Sequence, residues 1–306
     1  MAAVPTETDD LPLIREHVTA LCSKYGDPYW AVCDSEHRFP WDFYRDMASG
    51  GWIGISIPEQ YGGGGRGILE AAAVLEEVAA SGAAMNGASA VHMSIFGMQP
   101  VIRHGSEELK QRFLPSVADG SLHVAFGVTE PDAGTDTTRI TTRAVRDGDR
   151  YIVSGRKVWT SKAIEADRIL LLTRTTPLEE CAKPTQGMTL LLVDKHSPGV
   201  GVVPIPKMGR NAVASCETTY DEVEVPVADR VGEEGEGFRY LVDGLNAERV
   251  LIAAEAIGIG RVALDRAVAY AKERVVFGRP IGQNQGHRLP PRRGTCTATR
   301  CRPDGA

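Results

Sequence analysis

Ala125-Phe-Gly-Val-Thr-Glu-Pro-Asp-Ala-Gly-Thr-Asp136, followed one β-excursion later by Lys157-Val-Trp-Thr-Ser161, decides the reading of this chain. The first segment sets small and hydroxyl residues beside a tight turn. Pro131 and Gly134 bracket that turn, which brings main-chain N–H groups close to an anion. The second segment adds an indole and two more hydroxyls. Such a set suits a flavin: backbone and hydroxyl donors for the ring and the pyrophosphate, and an aromatic wall for a ring face. Taken singly, each segment reads more readily as a turn between strands with a buried Trp.

Outward from these segments the periodicity changes twice. From Leu11 to about Gly120 the pattern is helical, with Leu69, Ala73, Leu75, Glu76 and Val78 in an alanine-rich run. Gly105 stops one helix, Ser106-Glu-Glu starts the next with a cap and first-turn acids, and Pro115 and Gly120 close the region. From Leu122 to about Val231 the chain reads as strands: Thr137 to Val145, Tyr151 to Val158, Arg168 to Thr173, Met188 to Val193 and Thr218 to Val225. Asp147-Gly148 is a hairpin signal between the first two. Phe238 to about Arg274 then reads as one long helix. Its small residues, Gly258 and Gly260 among them, predict a close helix–helix approach, since each would cost about 1 kcal/mol in an exposed helix.

Together, at this spacing and in this helix–strand–helix order, the two opening segments resemble the flavin-binding motifs of the acyl-CoA dehydrogenase family. The resemblance runs from about residue 10 to Gly286. It implies an α+β fold: an N-terminal helical domain (1–120), a middle β-barrel-like domain (121–232) and the incomplete start of a C-terminal helical bundle (233–286). It implies FAD as cofactor. Thr129 matches the residue that bonds the isoalloxazine ring, Gly134 and Thr135 those facing the pyrophosphate, Trp159 the ring cover, and Ser161 the hydroxyl near N5.

Arg274-Val-Val-Phe277-Gly-Arg-Pro-Ile-Gly-Gln-Asn-Gln285 is a second signature. A guanidinium offers forked donors to phosphate. The resemblance implies that Arg274, Phe277 and Gln285 reach the dinucleotide of a neighbouring subunit, hence a homo-oligomer. Read locally, the same stretch is a helix C-terminus with a Gly-Arg-Pro stop. Glu248, in Leu245-Asn-Ala-Glu-Arg249, occupies the position where isovaleryl- and long-chain-like members carry the catalytic base. A carboxylate in a dry pocket can take the weakly acidic α-proton of an acyl thioester. The plainer reading is a solvated helix Glu pairing Arg249. Glu255, two turns on, serves as the control.

The chain has 306 residues, with 42% apolar and 24% charged residues and a net charge of −6, as for an ordinary globular protein. No basic stripe points to nucleic acid, no apolar run is long enough to span a bilayer, and no signal peptide is legible, so the expected location is cytoplasmic. The six Cys (22, 33, 181, 216, 296, 301) lack C-x-x-C spacing and read as reduced thiols, with no metal site expected. Tyr61-Gly-Gly-Gly-Gly65 lacks the Lys-Ser/Thr of a phosphate loop. His92 and His104 read as core or surface histidines.

After Gly286 the composition turns to Pro, Arg, Cys and Thr without helical period, and residues 287–306 are expected to be disordered. Shifted by one base, degenerate codons for the tail permit Ile-Ala-Ser-Pro-Leu-Ala-Glu, which resembles the family's next helix, so a frameshift near Gly286 and a C-terminal truncation are expected. Such a loss would expose the stripe around Leu251, Ile257 and Leu264 and weaken or abolish activity. The function implied is α,β-dehydrogenation of an acyl-CoA, with electrons passing to an electron-transferring flavoprotein. The rivals are an acyl-CoA oxidase or flavin monooxygenase on the same scaffold, and a non-catalytic pseudoenzyme or partner subunit.

Overall fold

The computed structural model describes residues 10–300, with side chains described through residue 295. The N-terminal layer is helical: α1 (Leu11–Cys22), α2 (Asp27–Ser35), α3 (Trp41–Ser49), α4 (Ile68–Val78), α5 (Ala84–Phe96), α6 (Gln99–His104) and α7 (Glu107–Ala118). Strands follow: β1 (Val124–Gly127), β2 (Arg143–Asp147), β3 (Arg150–Ser161), β4 (Arg168–Arg174), β5 (Met188–Asp194), β6 (Val200–Pro204), β7 (Ser215–Pro226) and β8 (Arg230–Val231). The chain then forms helix α8 (Gly237–Glu273), a short hairpin of β9 (Val275–Val276) and β10 (Arg279–Pro280), and helix α9 (Gln285–Arg300). The α+β architecture expected from the sequence is the one observed.

Local chemistry explains the main boundaries. Ser106 Oγ accepts from the Leu109 N–H at 3.1 Å, and Glu107 and Glu108 occupy the positive first turn of α7. Pro115 lies inside that helix and does not end it. Gly120, with φ +78°, follows the helix. The Asp147-Gly148 hairpin is present: Asp147 pairs with Arg150 and Gly148 has φ +63°. The segment before it departs from expectation. Thr137–Arg139 is a 3-10 turn, and the N–H groups of Thr141 and Thr142 go to the Glu130 carboxylate at 2.7 and 2.9 Å instead of to a strand. A charged acceptor inside the fold has replaced the ladder there.

The strands form one sheet in the order β6-β7-β3-β2-β4-β5-β8, with β1 added parallel to β4. Helix α8 packs on α4, α5 and the turn between them. A Cβ on Gly258 would lie 2.3 Å from Glu76 O and 2.9 Å from Ala79 Cβ, so only glycine permits this approach. Gly260 meets nothing within 4 Å, so the expected close approach does not extend to it. At the same contact Arg261 reaches Glu76 and Glu77 at 2.7 and 2.9 Å. Leu251 and Ile257, expected to be exposed, are 0% and 8% exposed, because the N-terminal helices already cover that stripe. The tail also differs from expectation. Asn284 O accepts from His287 and Arg288 N–H and starts α9, which contains Pro290 and Pro291. Its Gly294 seats against Leu264, where a Cβ would fall 2.9 Å from Cδ2. Close docking on α8 accompanies this helix despite the absence of an apolar period.

Two buried lysines flank the end of β3. Lys157, fully buried, bonds Glu130 Oε1 at 2.9 Å and Val128 O at 3.0 Å. Burial alone would raise the Glu130 carboxyl. Lys157 and the Thr141 and Thr142 donors override it and hold Glu130 well below the usual carboxylate range. Lys162, also fully buried, donates to Ser94 Oγ at 3.0 Å and lies 4.5 Å from the Tyr44 ring centroid. Burial pushes its ammonium down to about 7, with Glu165 and Asp167 opposing.

Lys157→Met should cost about 3–5 kcal/mol in urea unfolding, because it strands a buried carboxylate; a loss below about 1 kcal/mol would contradict the pairing. Lys162 has the opposite sign. Its folded pKa lies below its unfolded one, so the charged unfolded form is favoured below about pH 10, and the full penalty applies below about 7. Lys162→Met should therefore stabilise the fold by roughly 2–4 kcal/mol at pH 6, with the gain shrinking toward pH 10 in thermal melts.

Candidate functional site

A cavity of about 340 Å³ lies between α5, the segment that follows β1, the end of β3 and one face of α8. Each wall has a local cause. In β3, Lys157 pairs with Thr218 and Thr160 with Cys216, so three residue steps oppose two. This bulge re-aims the strand. It leaves Trp159 at φ +62°, a left-handed conformation costly for an aromatic residue, and 58% exposed on the cavity wall. Ser161 lies two residues on and lines the same cavity. Lys162 follows the strand, its N–H held by Ala214 O at 2.9 Å.

The opposite edge carries the first segment. Thr129 lines the cavity, and its carbonyl accepts from Val158 N–H at 2.9 Å, which ties the turn to the bulged strand. Glu130 and Ala133 bond each other across the turn at 3.0 and 3.2 Å. Gly134 and Thr135 are exposed beyond it, and their N–H groups make no hydrogen bond among the described residues. The donor set fits a flavin: an exposed indole, two hydroxyls on facing segments, and free main-chain N–H groups at a turn beside them.

Helix α8 supplies the third wall. Glu248 is half-buried, lines the cavity and makes no hydrogen bond or ion pair among the described residues. Arg249 bonds Asn246 Oδ1 at 2.7 Å, so the plainer pairing of Glu248 with Arg249 is not formed. Arg274, Phe277 and Gln285 lie elsewhere. All three are exposed on the β9–β10 hairpin and the start of α9, with Phe277 99% exposed, and none lines this cavity.

The structure adds residues that the sequence reading left out. His92 of α5 is buried, and its Nδ1 lies 2.7 Å from Glu255 Oε1 of α8. Glu255, chosen as a control, faces the cavity with Glu248, because seven residues are close to two helical turns. Arg210, at φ +60°, reaches in from the loop before β7 and donates to the hydroxyls of Ser215 at 2.9 Å and of Ser89 and Ser161 at 3.4 Å. The seven-residue spacing was the available signal for Glu255; nothing in the local sequence marks Arg210. His104 bonds Asp243 at 2.9 Å and stacks on Tyr240 away from the cavity. Among the described residues no group of three or more His, Cys, Asp or Glu is placed to hold a metal, and no helix is long and apolar enough to cross a membrane.

Three comparisons bear on this geometry. The acyl-CoA dehydrogenase N-terminal, middle and C-terminal domain profiles match residues 8–121, 125–223 and 235–290. An acyl-CoA dehydrogenase of Mycobacterium bovis, fadE12, is 36% identical over 280 residues, covering 92% of this chain and 71% of that protein. A probable acyl-CoA dehydrogenase from Mycobacterium abscessus superposes with a TM-score of 0.89 at 30% identity, over 95% of this chain and 76% of its own. A structure described as PigA with FAD and proline gives a TM-score of 0.90 at 25% identity, over 97% and 77%. With its fold, its cavity and these matches in agreement, the chain belongs to the acyl-CoA dehydrogenase family.

Proposed function

We propose that this chain dehydrogenates an acyl-CoA thioester between its α and β carbons, with FAD as cofactor. The observation that carries the reading is that Glu248, a carboxylate with no partner among the described residues, faces the same cavity as Trp159 and Ser161. Support for FAD comes from the donor set at the turn and bulge and from the solved relative described with that cofactor.

Glu248 takes the α-proton, and FAD, when bound, supplies the acceptor for the β-hydride, so the product is the α,β-unsaturated thioester. Thr129 and Ser161 hydroxyls hold the ring edge, and Trp159 covers a ring face. The exposed N–H groups of Gly134 and Thr135 serve the pyrophosphate. Apolar walls from Met93, Phe96, Phe126, Leu241 and Leu245 exclude water, which strengthens charge interactions inside. Electrons leave to an electron-transferring flavoprotein. The exposed hairpin bearing Arg274 and Phe277 serves a neighbouring copy of the chain; a large aromatic exposed on a two-stranded ribbon suits a contact surface.

Anaerobic stopped-flow reduction of the FAD-loaded protein by a series of acyl-CoAs tests this. Glu248→Gln should slow reduction by about 10²–10⁴-fold and change acyl-CoA affinity less than threefold by titration. Reduction at the wild-type rate would remove Glu248 from the base role. Rapid reoxidation of the reduced protein by oxygen would assign an oxidase or monooxygenase chemistry instead.

A further inference from the structure

Glu255 ends the cavity with a buried polar group that nothing among the described residues satisfies. The residue is 1% exposed. Its Oε1 is engaged by His92 Nδ1 at 2.7 Å, but its Oε2, also buried, has no hydrogen-bond partner among the described residues. Both residues line the cavity. Leaving such an atom unsatisfied is costly, and more so when it is charged. The same wall holds Arg210, whose guanidinium is bonded by hydroxyls only and makes no ion pair among the described residues. An apolar chain end would leave Glu255 Oε2 unsatisfied beside these polar groups.

Direction along the cavity follows from α8. Glu248 and Glu255 are separated by about 10 Å along the helix axis on nearly one face. An acyl group with its α-carbon at Glu248 that follows α8 toward its C-terminal end would pass Ile252 and meet Glu255. The path is apolar in its middle and polar at its end.

We infer that this site selects acyl groups that carry a hydroxyl at the far end of the chain, the hydroxyl donating to Glu255 Oε2 while His92 holds the carboxylate in place. The inference rests on the acyl-CoA reading of the cavity and names its substrate class. His92 is a positioning residue: it fixes one carboxylate oxygen and leaves the other without a partner among the described residues.

The test is equilibrium binding, by calorimetry on the FAD-loaded 306-residue protein, of ω-hydroxyacyl-CoAs and their unsubstituted counterparts of four to eight carbons. At the best-fitting length the hydroxylated ligand should bind at least tenfold more tightly, since a site built to bond a hydroxyl rejects the analogue lacking it. Glu255→Leu should reverse the order, the plain chain then binding better. His92→Phe should weaken the hydroxyl preference without inverting it. If wild-type protein binds plain chains as tightly as hydroxylated ones, the proposal falls, and an ordered water satisfies Oε2 instead. This ligand comparison within wild-type protein decides the matter even where a variant does not fold. If no acyl-CoA of either kind binds, the acyl-CoA reading falls and takes this inference with it. If plain chains bind and reduce the flavin but hydroxylated ones do not bind, only this inference falls.

Discussion

The ion pair between Lys157 and Glu130 is the constraint on which the site depends. It joins the two segments that bear the proposed cofactor residues, one at the turn after β1 and the other at the end of β3. Fully desolvated pairs are poor sources of stability, because taking both charges from water offsets most of their attraction. Their use is in specifying geometry, and this pair has the supporting bonds for it: Glu130 also receives Thr141 and Thr142, and Lys157 also reaches Val128 O. With those positions fixed, Val158 bonds Thr129 O, the bulge follows, and Trp159 is turned onto the cavity wall.

A second layer of organisation comes from α8. Its one face serves both the core and the cavity. Leu251, Ala254 and Gly258 bury against the N-terminal helices, while Glu248, Ile252 and Glu255 line the cavity between them. Helix spacing makes these sets adjacent, so packing at Gly258 fixes where both carboxylates stand. The Arg261 contacts to Glu76 and Glu77 hold the same interface from its polar edge.

Much of this was legible in the sequence, for physical reasons that differ by element. The hairpin at Asp147-Gly148 and the long helix were readable because turn chemistry and periodicity are local. Trp159, Ser161 and Thr129 were readable as motif residues, although the bulge that aims the indole was not. That depends on a register shift against β7. Thr137 to Thr142 looked like a strand by composition, and a distant carboxylate overrode it. Leu251 and Ile257 were expected to be bare because cover was sought downstream, whereas α4 and α5 lie upstream in sequence and adjacent in space. The His92–Glu255 pair escaped because its members lie 163 residues apart, and Arg210 because it reaches Ser161 and Ser89 across 49 and 121 residues; buried polar pairing leaves no periodic trace.

The central claim is that the turn, the bulged strand and α8 form one flavin and acyl-thioester site within this chain. The most direct measurement is the visible spectrum of the purified protein after FAD reconstitution and gel filtration, recorded before and after anaerobic addition of acyl-CoA. Stoichiometric yellow flavin that bleaches with an acyl-CoA is the predicted result. A folded but colourless protein that retains no flavin would contradict the account.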